Sequence, residues 1–163
     1  MLVTLYPKLN KDMKKKLESG TYKNRRVFFD YEILDKIEVG IVLTGTEIKS
    51  VREGKVTING AFCIFVGKEL FIRGMDIAIY DEGSYLNHDP KRDRKLLLHR
   101  RELNRLKSKL DEKGLTIVPI KLYPNSDGIY KIEAGVAKGR KVADKREYIK
   151  DRDSKRELKA VTG

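Results

Sequence analysis

A chain of 163 residues with 40% hydrophobic and 37% charged side chains can bury one compact core, and 36 Lys/Arg against 24 Asp/Glu give it a net charge of +12. No stretch approaches the ~20 apolar residues that span a bilayer, and Met1 to Tyr6, though apolar, lacks the charged n-region and long h-region of a signal peptide. The single cysteine, Cys63, excludes an internal disulfide and points to a reducing cytoplasm.

The positive excess lies in three segments. Residues 8–26 carry +6, residues 91–109 carry +7 and residues 138–159 carry +5, which leaves the remainder at −6. A mildly acidic body with separate basic arms suits a polyanion held by its backbone at several places.

In chain order, residues 8–18 read as a short Lys-rich helix or an unstructured arm ended by Gly20. Two strands are predicted next, Val27 to Leu34 and Ile37 to Leu43, because β-branched and aromatic residues dominate and partly alternate. Thr46 to Arg52 predicts a short helix stopped by Gly54, with Ile48 and Val51 toward the core and Lys49 and Arg52 on a wetter face. Residues 61–66 and 69–73 form a candidate hairpin around Gly67-Lys68, with Met75 to Tyr80 as a further strand. Cys63 reads there as a small buried hydrophobe.

A polar loop from Asp81 to Pro90 precedes the strongest predicted helix, residues 99–113. Leu103, Leu106 and Leu110 repeat there at helical spacing, Glu102 stands at N3 of a cap at His99, and Gly114 stops the helix. Leu115 to Tyr123 and Ile129 to Val136 are predicted strands joined by the turn Asn125-Ser126-Asp127-Gly128. The sum is a mainly β, α+β chain of about six short antiparallel strands with flanking helices. An oligonucleotide-binding-type barrel is the leading architecture and a split ferredoxin-like sheet the second.

Beyond Gly139 only Val142, Tyr148, Ile149 and Leu158 could anchor a helix. The basic tail is therefore expected to be disordered alone and helical only against RNA. Three regions result: an arm over residues 1–23, a barrel over residues 24–138 and a tail over residues 139–163.

Enzyme motifs are missing. Gly135 to Lys141 superficially resembles a phosphate loop, but its glycines are one residue too close and no Ser/Thr follows the lysine. His88 and His99 have no zinc-type spacing, so no metal or other cofactor is expected. Asp81, Glu82 and Asp89 would suit a metal-dependent nuclease or a plain solvated loop. Binding chemistry is better represented. Lys91 to Arg101 sets phosphate-reaching cations around Leu96-Leu97-Leu98, and Leu97 or His99 could pack on an unstacked base. A general single-strand binder would instead need aromatic platforms on strands, and the tyrosines are scattered.

Four strings in this order carry a family resemblance: Glu38 to Lys55 (EVGIVLTGTEIKSVREGK), Asp89 to Leu98 (DPKRDRKLLL), Gly135 to Gly139 (GVAKG) and Asp144-Lys145-Arg146. Over about residues 24–157 the chain resembles the bacterial SsrA-binding protein family, small protein B. The resemblance implies an oligonucleotide-binding-type barrel and no enzymatic activity. It implies binding to the tRNA-like domain of transfer-messenger RNA and delivery of that RNA to stalled ribosomes for trans-translation. Elongation factor Tu would be met only through the RNA, the free protein would be a monomer, and no membrane is involved.

By position, Glu38, Leu97 and His99 resemble the family's central RNA contacts. Tyr31, Lys49, Ser50 and Arg52 resemble further members of that surface, with Asn24, Arg25, Lys55, Arg92, Arg94 and Lys95 completing it. Gly139 and Asp144-Lys145-Arg146 resemble the determinants for the ribosomal decoding site and message channel. Lys138, Arg140, Lys141, Lys150, Arg152 and Lys155 extend that set along the tail. Gly139 is expected to let the chain turn out of the barrel. Ala143 stands where members often carry a ring that stacks on ribosomal RNA.

Overall fold

A computed structural model describes residues 20–112 and 114–162. The arm expected over residues 8–18 lies outside the described residues.

Six strands close into an antiparallel barrel. They are β2 (Tyr31–Ile41), β4 (Phe62–Val66), β5 (Glu69–Arg73), β7 (Arg94–Leu97), β8 (Leu115–Pro124) and β9 (Tyr130–Gly139). The order β8-β4-β5-β7-β2-β9 is closed by the pairing of β9 back onto β8. The seam between β4 and β8 is a single pair, Cys63 opposite Ile117. A two-residue strand β1 (Tyr22–Lys23) adds to β8, and β3 (Val56–Thr57) pairs with β6 (Asp76–Ile77) as a separate ribbon. Barrel closure removes the sheet edges that a flat sheet of this charge and size would expose.

The core is the inward face of these strands, with Val39, Leu70, Ile72, Leu96, Ile117, Leu122 and Ile132 buried together. Cys63 belongs to this core, and burial pushes its thiol up to about 12, so it is an inert hydrophobe. Two helices pack on the barrel. In α2 (Gly45–Arg52) the Thr44 N–H donates to Glu47 Oε2 at 2.8 Å, and the chain leaves through Gly54 at φ +81°. In α3 (Arg100–Leu110) the His99 N–H donates to Glu102 Oε2 at 3.0 Å, and Leu106 is buried in the core. Both helices, the β4–β5 hairpin and the Asn125–Gly128 turn stand where the sequence places them, except that α3 ends at Leu110, before the expected Gly114 stop. In that turn Asn125 Oδ1 accepts from the Asp127 and Ile129 N–H groups at 3.0 and 2.9 Å.

Four stretches differ from expectation. Val27–Asp30 forms one helical turn, α1, instead of the start of a strand. The Asp30 N–H bonds to the Arg26 carbonyl at 2.9 Å, while Val27 alone of the apolar run is fully buried. The break expected before Ile37 is instead a bulge between Ile33 and Asp35, so β2 runs on for 11 residues. The strand expected from Met75 to Tyr80 shrinks to Asp76–Ile77. Conversely β7 arises in the basic run, where Leu96 points inward and Leu97 outward.

The tail is a helix, α4 (Val142–Val161), with no buried residue. That is the form the sequence reading assigns to the RNA-bound tail. Its root is held at the barrel end, through the Arg140 N–H on the Asp30 carbonyl at 2.9 Å just before the helix and Lys145 Nζ on Asp30 Oδ1 at 3.3 Å.

Candidate nucleic-acid interface

Strand alternation turns Val39 inward, so Glu38 and Gly40 lie on the outer face of β2. Gly40 pairs with Leu97 of β7, and a Cβ on Gly40 would stand 3.1 Å from Leu97 Cβ. The missing side chain lets Leu97 lie flat across β2 while remaining 51% exposed. On the other side Glu38 pairs with Glu133 and Gly40 with Lys131 of β9, and these pair in turn with Lys121 and Tyr123 of β8. One outer face thus joins Leu97, Glu38, Glu133, Lys131, Lys121 and Tyr123.

Two carboxylates opposed across strands repel. Here Tyr123 donates its hydroxyl to Glu38, while Lys121 Nζ lies 3.7 Å from Glu133 and 5.0 Å above the Tyr123 ring. Burial, then the hydrogen bond and charge of Glu38, push the Tyr123 hydroxyl far above its ordinary value, so it stays a neutral donor. Glu38 is therefore an oriented acceptor, suited to a base or 2′-hydroxyl. Sequence reasoning missed Tyr123, Lys121 and Lys131, because strand register alone brings them to Glu38. His99 is exposed at the start of α3, two residues beyond Leu97, and Lys95 is held by Glu69 at 2.6 Å.

Arg94 corrects its sequence assignment. It is fully buried, donating from Nε to Glu47 Oε1 at 2.9 Å and from Nη1 and Nη2 to the carbonyls of Met75, Arg92 and Pro90 at 2.9, 3.0 and 3.0 Å. Its donors are spent inside the protein, and it reaches no phosphate. Arg92 is partly exposed but bonds Glu47 through Nε and Nη2 at 3.2 and 2.7 Å. Burial alone would raise the Glu47 pKa. The Arg92 and Thr44 hydrogen bonds and both guanidinium charges outweigh it and hold the carboxyl below its usual range. Glu47 thus ties α2 to β7 and to the loop before it. Its signal was the Thr44-x-x-Glu47 capping spacing. Ser50 is also buried, and Asn24 nearly so, with its amide donating to the Pro119 carbonyl at 3.1 Å. These two side chains face the protein, not its surface.

On α2, Lys49 and Arg52 are exposed, with Lys49 Nζ 5.2 Å over the Tyr80 ring. Lys55 is half committed to acids, at 3.2 Å from Glu53 and 2.5 Å from Asp81. The loop carboxylates are dispersed: Glu82 accepts from the Tyr80 hydroxyl at 3.1 Å, and Asp89 caps the Lys91 N–H at 3.0 Å. Among the described residues no group of three or more His, Cys, Asp or Glu could hold a metal ion.

A second surface lies at the other end of β2. Tyr31 pairs with Gly139, seven residues from Glu38 and so about 23 Å away along the strand. Arg140 Nε donates to the Phe28 and Tyr31 carbonyls at 3.2 Å each, and its guanidinium lies 5.0 Å from the Tyr148 ring centroid. Lys145 Nζ is 5.4 Å from the Phe29 ring centroid. Arg25, Lys138 and Lys141 are exposed nearby, and Asp144 Oδ2 accepts from the Lys141 N–H at 3.2 Å. A cleft of about 590 Å³ opens between this barrel end and α4, lined by Glu32, Lys138, Arg140, Asp144 and Tyr148 among others. Gly139 has no positive φ, and a Cβ there would meet nothing, so the exit from the barrel does not require glycine. Arg146, Lys150, Arg152 and Lys155 are exposed along α4.

The predicted residues therefore divide between two surfaces and a buried clamp. A family model described as SmpB protein matches residues 21–162. The SsrA-binding protein of Cytophaga hutchinsonii is 50% identical over 139 residues, covering 85% of this chain and 91% of its own. That of Flavobacterium psychrophilum is 50% identical over 145 residues, covering 89% and 97%. A solved chain described as "tmRNA-SmpB: a journey to the center of the bacterial ribosome" superposes with a TM-score of 0.63 at 50% identity, covering 76% of this chain and 86% of that one.

Proposed function

The chain belongs to the SmpB protein family, and from that premise we propose that it binds transfer-messenger RNA and delivers it to stalled ribosomes for trans-translation. The observation that carries the reading at residue level is Leu97, a half-exposed apolar side chain laid over Gly40 beside an oriented Glu38. An unstacked base packs on Leu97 while Glu38 and Tyr123 address its edge or a 2′-hydroxyl, and neighbouring cations hold the backbone. Lys49, Arg52 and His99 extend this grip over the tRNA-like domain. Arg94, Ser50 and Asn24 support it from within.

The tail and the Tyr31–Arg140 end serve a different contact, the decoding site and message channel of the small ribosomal subunit, which moves Tyr31 from the tRNA-like-domain surface expected of it to this end of β2. Binding is the whole of the activity: the protein is a monomeric cytoplasmic RNA factor, not an enzyme, and elongation factor Tu meets it only through the RNA. Titration with transfer-messenger RNA at rising salt tests the grip. Steep salt dependence is expected, and Leu97→Asp should weaken binding about tenfold to a hundredfold, the ~1.5–3 kcal/mol of one buried apolar side chain. An unchanged affinity for that variant, with its fold intact, contradicts the reading.

A further inference from the structure

The outer side of α3 carries cations that the RNA surface described above does not use. Arg105 and Lys109 share the single carboxylate of Asp35, at 2.5 and 2.6 Å. Arg100 and Lys107 are exposed on another side of the helix, and neither has an ion pair among the described residues. Lys68, also exposed and without such a pair, reaches the same place from the β4–β5 turn, where Gly67 at φ +63° makes the reversal. Between hairpin and helix lies a groove of about 310 Å³ lined by Phe65, Lys68, Arg100, Leu103, Asn104 and Lys107.

We propose that this groove carries a phosphate run of the same RNA that Leu97 grips. The inference rests on the RNA-binding reading above and extends its footprint. Three arguments support it. The groove is continuous with the grip, because an adjoining cleft shares Lys68, Arg100 and Leu103 and is also lined by Lys95 and Leu97. The one acid in that cleft, Glu69, is taken by Lys95 at 2.6 Å, so the remaining cations face a polyanion unopposed. Arg100 and Lys107 are two helical turns apart, about 10 Å, which matches about three successive nucleotides of a helical strand. Asn104, between them, offers a neutral donor and acceptor to a sugar hydroxyl.

The test compares the full-length wild type with the triple variant Lys68→Ala, Arg100→Ala, Lys107→Ala. A charge-matched control replaces three exposed cations outside both the grip and the groove, Lys36→Ala, Arg156→Ala and Lys159→Ala. Transfer-messenger RNA affinity is measured from 50 to 300 mM salt, with thermal unfolding of each protein. The groove variant should lose about one unit of log–log salt slope per cation, about three in all, while the control keeps the wild-type slope. Backbone footprinting should show one protected stretch lost and the Leu97 site retained. Equal slopes for the groove variant and the wild type, or equal losses in groove variant and control, overturn the proposal and leave the grip standing. A loss confined to ribosome binding or to an acidic peptide probe also overturns it. Failure of the wild type to bind the RNA overturns both readings together.

Discussion

Glu47 holds the site's geometry without facing solvent. It is fully buried between two guanidinium groups, and neutralising it strands the charge of Arg94 in the core. Glu47→Gln should cost about 3–5 kcal/mol in urea unfolding, the range for a broken buried pair. Its folded pKa lies below the ordinary 4.5, so the stabilisation is complete above that value and is lost as pH falls through the lowered folded value. Asp35 and Asp93 shift the same way through Lys109 and Arg73, but they are largely solvated and add little. Wild-type unfolding monitored from pH 7 to pH 3 should show stability declining below about 4.5, with a shallower decline in Glu47→Gln. At this scale the sequence misleads most where charge is taken as exposure. Arg94 sits in a basic run beside solvated cations, and only the strand alternation of β7 sends it inward.

Among the elements, α4 is the least anchored. None of its residues is buried, and its root is fixed by Lys145 on Asp30 and by Arg140 on two carbonyls. Asp30→Asn should lower hydrogen-exchange protection of the first turns of α4 by up to about fivefold, the worth of one exposed ion pair, and leave β8 and β9 unchanged. Elements with local punctuation were legible: α2 through capping and a closing glycine, α3 through its capping, the β4–β5 hairpin and the β8–β9 turn through Gly67 and Asn125 to Gly128. Elements decided by tertiary pairing were not. Nothing local tells the aromatic run after Arg26 to turn once before entering β2, or tells the charged residues of β7 to pair between β5 and β2. The cross-strand row of Glu38, Glu133 and Lys121 was hidden for the same reason, since the register spans most of the chain.

Over the whole molecule, the exposed cations of the described residues gather in two regions at opposite ends of one long strand. In the function proposed above, the Leu97–Glu38 face and the groove of α3 are assigned to the transfer-messenger RNA, and α4 with the Tyr31–Arg140 end to the ribosome. This division makes grip and delivery separable. The most direct measurement truncates the chain after Lys138 and follows two readouts: equilibrium binding to transfer-messenger RNA, and tagging of incomplete proteins on stalled ribosomes. The expected result is RNA affinity within about threefold of the full chain, set by the grip and groove cations it retains, with tagging abolished. Loss of RNA binding along with tagging, from a barrel that still unfolds cooperatively, would contradict two separate contacts and leave a single undivided RNA surface.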